Sequence, residues 1–542
     1  ALGGCSSKDA SSGDQDLAST GVDFDEEYDV VVVGSGLAGL ATAVTVGTEG
    51  DGATCLLLEK SDSPLGGGNS AFSGGMIMTT DNYDDCLEYV KALRGENETV
   101  SDAICEAYVR EAMEHANWLR SLGAPDDFYV SYEDPDGFCQ GVYKYDAEYT
   151  ELDPNASVHG IRFNPDNPDG LTHVIKFLSA KADELADVIT RKTKAPAVRL
   201  IQDPVSCAIE GVTYLDGNKE VNVRANKGVV MCCGGFENNP EMMANYFKAY
   251  GCHPAAAVHN TGDGIRMGLG VGGTISGYDS AFIFDGGVDC GAWGRYLYKG
   301  DVQFARQPWM LINIKGDRVP YYPVTTLGFT KQAGVHMHNP GCVSYVVCDS
   351  HYDEVIKGWE AEGKQQLICR NPITREHWEA AGANVERMGD MVDEDYTIGM
   401  REGIEAGYIF EADTIEELGE ALGFDADIFS TAVKNWNELC EAGVDEVYSY
   451  APEWLNKVQD PPFYGMKVGG TVLSTMCGLT VDTNMRVLDE KARPIAGLYA
   501  AGCTIGGLGG DSTYGDCRNP GGGVAMACGT AYQAARAICG DI

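Results

Sequence analysis

No stretch of eighteen consecutive apolar residues occurs in this 542-residue chain, so no segment is expected to cross a bilayer as a helix. Basic residues are scarce: 39 Lys and Arg against 81 Asp and Glu give a formal net charge of −42. That balance argues against nucleic acid or an anionic membrane surface as a partner, and solubility is its simplest reading. There is no Cys-x-x-Cys pair of the zinc-binding kind and no Cys-x-x-Cys-His for haem attachment. The 19 cysteines are odd in number. Cys55, Cys207, Cys232, Cys233 and Cys528 lie in apolar or glycine-rich runs, which suits buried thiols better than a disulfide framework. No discrete metal site is expected, although scattered cysteines leave an iron–sulfur cluster open.

The length predicts more than one domain. The first residues, Ala1-Leu-Gly-Gly-Cys5, resemble the end of a bacterial lipoprotein signal, with Cys5 as the lipid acceptor. The Ser/Asp/Gly-rich stretch that follows reads as a disordered tether, taken as residues 1–24. A simple frayed end is the alternative. Export sits oddly with so many thiols unless the setting is reducing and anaerobic.

The most informative stretch begins at a valine run, 30–33, which ends in Gly34-Ser-Gly36-Leu-Ala-Gly39. A second strand at 54–58 then delivers Glu59. A buried strand that turns into a helix through three glycines, with an acid about twenty residues on, is the pattern of a dinucleotide site. Gly34 makes the tight turn, Gly36 lets a pyrophosphate approach the backbone, Gly39 lets the helix pack closely, and Glu59 can grip a ribose hydroxyl. Further along, residues 101–122 form an amphipathic helix, with Ile104, Tyr108, Ala112, Trp118 and Leu122 at helical spacing. Residues 171–189 form another. Residues 198–214 and 220–223 read as a hairpin around Asp216-Gly217, and 227–233 as a buried strand ending in Gly234-Gly235. Residues 282–462 are richer in aromatics and mixed in periodicity, as expected of an inserted domain. Gly521-Gly-Gly523 opens a final helix to about residue 538.

Six ordered blocks resemble the flavoprotein superfamily of fumarate reductases and succinate dehydrogenases, which also holds urocanate reductases, ketosteroid dehydrogenases and cardiac glycoside reductases. These are Asp29 to Gly39, Gly67-Gly-Asn-Ser70 with Ser73-Gly-Gly-Met76, Val229 to Phe236, Thr261-Gly-Asp-Gly264, Thr475-Met-Cys-Gly-Leu479 with Phe463-Tyr464, and Pro494 to Gly502. The resemblance implies an α/β fold: a Rossmann-like FAD-binding domain split in sequence (25–281 and 463–542) by an inserted α+β capping domain (282–462). It implies non-covalent FAD held by Gly34, Gly36, Leu37, Ala38, Gly39, Glu59, Lys60, Gly67, Gly68, Asn69, Ser70, Ser73, Gly74, Gly75, Val205, Cys233, Gly234, Asp263, Gly502, Cys503, Gly522, Gly523 and Val524. Physically, the free N–H groups and positive end of the final helix would favour an anionic reduced flavin by about 0.3–1 kcal/mol. Cys503 stands where the family often has a glutamate.

The departures bear on substrate. Fumarate reductases hold a dicarboxylate with two histidines and two arginines, and a further arginine donates the proton. Their first histidine falls near residues 282–285 and their second at Leu473-Ser474; neither is a histidine here. The proton-donor arginine falls at Thr326-Leu327. Arg306 and Arg518 match the remaining arginines. An anion buried without partners is costly, so a short dicarboxylate is disfavoured. Aromatics crowd the cap instead, and Thr513-Tyr514 is similar to a segment of ketosteroid dehydrogenases in which a tyrosine holds the substrate carbonyl. The expectation is an FAD-dependent ene-reductase for a bulky enone or unsaturated lactone, steroid or cardiac-glycoside-like. Hydride would pass from flavin N5, and the proton from Tyr321, Tyr322, Arg306 or Arg518, with Tyr514 at the enolate oxygen. A packed turn is the bland reading of Tyr321-Tyr322-Pro323. The alternatives are a ketosteroid dehydrogenase running in reverse or a fumarate- or urocanate-type respiratory reductase of a small carboxylate. No second fingerprint for a nicotinamide cofactor occurs. Electrons are therefore expected from an external donor such as a membrane-bound cytochrome, at the extracytoplasmic face of the cell membrane.

Overall fold

The computed structural model describes residues 21–63, 65–72, 77–79, 82–94, 100–125, 128–131, 159–163, 173–247, 252–254, 257–289, 295–296, 305, 307–321, 332–362, 396–508 and 522–540. Its first sheet is built on strand Glu26–Val33, whose last four valines are at most 5% exposed. Continuous Val/Leu runs are what a strand buried on both faces requires. Strand Cys55–Leu58 pairs with it in parallel on one side (Val33 opposite Leu58), and strand Lys219–Met231 on the other (Val33 opposite Met231). Strand Ile189–Lys192 extends the sheet beyond Cys55–Leu58, and strand Pro494–Ala500 beyond Lys219–Met231, both in parallel. All these strands end at the same edge. In such sheets ligands gather at the carboxyl ends of the strands.

Helices Leu37–Glu49, His173–Glu184, Asp102–Ser121 and Gly522–Cys539 pack together beside this sheet. Ser101 precedes Asp102–Ser121, and Ile104, Tyr108, Ala112 and Trp118 are buried along it, at the spacing that predicts this helix. No helix among the described residues is long and apolar enough to cross a membrane.

Three local expectations change. The run 198–214 is two strands, Ala197–Gln202 and Ile209–Asp216. Between them the Asp203 carboxylate accepts from the N–H groups of Val205 and Ser206 at 3.0 and 2.6 Å, and Cys207 takes φ +61°; such aspartate turns compete with extended backbone. The strands expected at 220–223 and 227–233 are one strand, Lys219–Met231, which passes through Gly228 at φ +145°. The helix expected over 171–189 stops at Glu184, because Ile189 is already paired with Cys55 as an edge strand.

The second sheet is mostly antiparallel and centres on the thirteen-residue strand Phe463–Thr475. Strands Ala281–Asp289 and Val343–Cys348 flank it, and Ile409–Ala412 and His253–Pro254 pair with it as well. The boundary expected between 462 and 463 thus falls at the start of this sheet's spine. One core of the sheet gathers Trp309, Trp359 and Met466; another gathers Phe429, Trp436, Tyr450 and Phe463.

Within the second core, Arg318 meets Asp445 through two nitrogen–oxygen contacts of 3.0 and 2.6 Å. The Asp445 side chain is fully buried. The Arg318 guanidinium hydrogen bonds hold its carboxyl well below the usual range, against the upward push of burial and with help from the Val447 and Tyr448 N–H groups. The guanidinium also lies 5.4 Å from the Trp436 ring centre. Removing one partner leaves a buried charge unpaired. Asp445→Asn is expected to cost about 3–5 kcal/mol, read as a lower midpoint in urea unfolding. The pair's contribution is complete above the unfolded pKa of about 3.9 and is lost as pH falls below it.

Candidate cofactor and active site

The glycine turn after Val33 has no room for side chains at two positions. Gly34 sits at φ +99°, and a Cβ there would strike the Cys232 carbonyl; a Cβ on Gly39 would strike the Gly34 carbonyl. Helix Leu37–Glu49 starts at Gly36 without a side-chain cap of its own, which leaves amides at this end for an anion. Leu37 and Ala38 are buried just inside it. Ser70 docks here by accepting from the Leu37 N–H at 3.0 Å.

Glu59 is 7% exposed. Its Oε2 accepts from both the N–H and the hydroxyl of Ser35 at 3.0 and 3.1 Å, and its Oε1 accepts from the Ser61 N–H at 2.8 Å. Each carboxylate oxygen can accept about two bonds, so one slot on Oε1 suits a ribose hydroxyl. Lys60 reaches across to Asp263 at 2.6 Å and Thr261 at 2.9 Å. Burial would raise the Asp263 pKa, but Lys60 and Arg266 outweigh it and hold the carboxyl down. These residues fit a dinucleotide: a helix end with no side-chain cap of its own, a buried acid with a spare acceptor, and no space for a Cβ beside the turn.

Several of the other residues that the resemblance implies for the cofactor lie near the same edge. Gly67 lies against Ser61, where a Cβ would also meet His259, and Gly68 faces more open space. The Asn69 amide donates to Glu237 at 2.7 Å and to the Leu473 carbonyl at 2.6 Å, and its oxygen accepts from the Ala257 N–H at 2.9 Å. Cys233 packs under Gly264, and Gly234 at φ +72° faces Asn260. Gly502 at φ +63° abuts Ala38, with its N–H on Thr530. Burial pushes the Cys503 thiol up to about 11, against a hydrogen bond with Ser474. Gly522, Gly523 and Val524 open helix Gly522–Cys539. Val205 is 61% exposed on the Asp203 turn. The Ala195 N–H donates to the Glu59 carbonyl at 2.8 Å. Ser73, Gly74, Gly75, Arg306, Tyr322, Tyr514 and Arg518 lie outside the described residues.

The two positions where a dicarboxylate pocket would carry histidines are neighbours. Phe282 is directly opposite Ser474 in the pairing of Ala281–Asp289 with Phe463–Thr475. The Phe282 ring also lies over the head of the final helix, 3.7 Å from where a Gly523 Cβ would stand. An aromatic face therefore stands at that helix end. Tyr321 is 8% exposed in the cap core, and its ring neighbours are Tyr450 at 6.0 Å and Trp454 at 5.6 Å.

Sequence reasoning missed Glu237, Asn260 and Thr475, which form a polar knot behind Asn69. The signal available was an acid directly after Gly234-Gly-Phe236 at the end of a buried strand. Among the described residues no group of three or more His, Cys, Asp or Glu could hold a metal ion, and the cysteines described are free thiols.

Comparison with known proteins agrees with this geometry. The model of the "FAD binding domain" family matches residues 29–515. The chain belongs to this family of flavoproteins. It is 26% identical to a vinyl phenol reductase of Lactiplantibacillus plantarum, over 90% of this chain and 92% of that protein. It is 26% identical to a urocanate reductase of Eggerthella lenta, over 91% of this chain and 72% of that one. A digoxin reductase of the same organism is 25% identical, over 93% and 88%. In fold it matches a 3-ketosteroid delta1-dehydrogenase from Sterolibacterium denitrificans with a TM-score of 0.66 at 20% identity, over 95% of this chain and 99% of that one. The chain is an FAD-dependent oxidoreductase acting on CH–CH bonds, with FAD bound non-covalently.

The turn supplies a test. Gly39→Ala forces a Cβ into the Gly34 carbonyl, and backbone cannot yield as a flexible side chain can. The variant is expected to lose most of its FAD, read as flavin absorbance relative to protein after gel filtration. Gly334→Ala, where a Cβ meets nothing within 4 Å, is expected to keep it.

Proposed function

We propose that the protein reduces an activated C=C bond in a bulky conjugated substrate, an enone or unsaturated lactone of steroid or cardiac-glycoside type. The observation that carries this reading is the Phe282 ring beside the head of the final helix, with Ser474 paired opposite Phe282. It offers no imidazole to a carboxylate and an aromatic face to an apolar ring system. The name of the digoxin reductase supports a substrate in which the reducible bond is attached to a large ring body, and that of the vinyl phenol reductase an alkene on an aromatic ring.

FAD, when bound, supplies the hydride, and one proton from the protein completes the addition of two hydrogens across the double bond. Tyr322, Arg306 or Arg518 delivers that proton to the α-carbon. Tyr514 and the N–H groups at Gly522 and Gly523 hold the carbonyl oxygen as negative charge builds on it. Tyr321, packed against Tyr450 and Trp454, serves the cap core rather than the chemistry. Run in reverse, the same groups would desaturate a ketosteroid. Each turnover consumes two electrons, which an external donor such as a membrane-bound cytochrome would restore. A lipid on Cys5 would hold the enzyme at the extracytoplasmic face of the membrane, beside such a donor.

A second reading has its own support. The urocanate reductase covers nearly the whole chain, and Arg306 with Arg518 could grip one carboxylate of a small unsaturated acid. Anaerobic reoxidation of the dithionite-reduced holoenzyme separates the two. A steroid enone and a cardenolide lactone are expected to reoxidise the flavin faster than fumarate or urocanate. Phe282→Ala is expected to raise KM for the bulky substrates about tenfold, the loss of about 1.4 kcal/mol of ring contact. Rapid reoxidation by the small acids alone would establish the second reading.

A further inference from the structure

We propose that Glu237 is a positioning residue for the flavin: a buried carboxylate that ties the Asn69 loop to the end of strand Phe463–Thr475 and sets the electrostatic environment in which the flavin is reduced. Glu237 is 0% exposed. Its Oε1 accepts from the amides of Asn69 at 2.7 Å and Asn260 at 2.6 Å. Its Oε2 accepts from the N–H and the hydroxyl of Thr475, each at 3.2 Å. The Thr475 hydroxyl already accepts from the Phe236 N–H at 2.8 Å, so its proton is left for Glu237. The Asn69 amide cannot turn round, because the Leu473 carbonyl takes its N–H and the Ala257 N–H fills its oxygen. Four donors on two oxygens is the full acceptor capacity of a carboxylate, and charge-assisted bonds of this kind are the strong ones. Burial pushes the Glu237 pKa up, against these donors. Burial outweighs the donors in the net shift, and the ionised form rests on the geometry, in which all four neighbouring groups donate to the carboxylate oxygens.

The three partners come from three places that the cofactor site uses. Asn69 belongs to the loop that Ser70 docks on the head of the Gly36 helix. Asn260 precedes the Thr261–Asp263 pair that holds Lys60, and it faces Gly234. Thr475 follows Ser474, which is paired opposite Phe282. A bland structural clamp would need only neutral amides here, which hydrogen-bond to one another without a buried charge. A full negative charge, desolvated between the Asn69 loop and strand Phe463–Thr475, must oppose the negative charge that a reduced flavin acquires, since few mobile ions or waters screen it. The positive head of the final helix acts in the other sense. Glu237 therefore both fixes Asn69 and holds the flavin potential low, which suits hydride donation to a C=C bond.

The proposal depends on bound FAD and on no particular substrate, so spectroelectrochemical titration of the holoenzyme tests it without turnover. Glu237→Gln keeps the shape and removes the charge. The flavin midpoint potential is expected to move in the positive direction, with a changed visible flavin band. Glu237→Asp keeps the charge on a shorter stem; it is expected to hold the potential near the wild-type value while FAD dissociates at least tenfold more readily. Thr475→Val removes one donor isosterically and covers the case in which Glu237→Gln does not fold; it leaves the carboxylate less neutralised and is expected to shift the potential in the negative direction by a smaller amount. An unchanged or more negative potential in Glu237→Gln overturns the proposal. If Glu237→Gln does not fold, an unchanged or more positive potential in a folded Thr475→Val overturns it. A fall in melting temperature alone marks Glu237 as a structural clamp.

Discussion

Parallel pairing at one edge of the first sheet governs the rest of the molecule. Val33 stands opposite Leu58 on one side and Met231 on the other, so the three strands end level. That level end brings Gly34, Glu59 and Cys232-Cys233 together, although they are far apart in sequence. A slip of one residue in either ladder would mismatch the packed valines and leucines and move Glu59 away from Ser35. The glycines follow from the same closeness: the Cys232 carbonyl sits where a side chain on Gly34 would be. The cofactor site is thus a consequence of register before it is a consequence of any catalytic residue.

Much of this was legible in the sequence, for physical reasons. A valine run closing on three glycines has few other uses, and an acid one strand later has a defined place in the turn. The helix over Asp102–Ser121 was legible because its apolar residues keep strict period. The break at Asp203–Ala208 was not, because apolar Val205 and Cys207 imitate a continuing strand while the deciding interaction is a side-chain turn. Val205, expected at the cofactor from resemblance alone, lies exposed on that same turn.

The candidate active site was legible mainly through replacements. Sequence order indicated that Phe282 and Leu473-Ser474 stand where a carboxylate pocket would have imidazoles. Only the pairing of the two strands sets Ser474 opposite Phe282. Tyr321 illustrates the reverse limit. A tyrosine near a family motif invites a catalytic reading, while burial against Tyr450 and Trp454 is a matter of three-dimensional packing. Glu237 escaped notice because a lone acid after a glycine pair carries no periodic signal, and its meaning comes from four donors on three distant segments.

Strand Phe463–Thr475 carries a mechanical consequence. Its first residues are the spine of the second sheet, and its last residues hold Asn69 through the Leu473 carbonyl and meet Glu237 through Thr475. Extended backbone this long is stiff along its axis and is paired on both sides. A tilt of the cap must therefore act as a lever: either the far end of the strand drags the loop beneath it, or the Asn69 bond breaks. Substrate entry and cofactor seating share one rod, and neither can be adjusted without the other feeling the load.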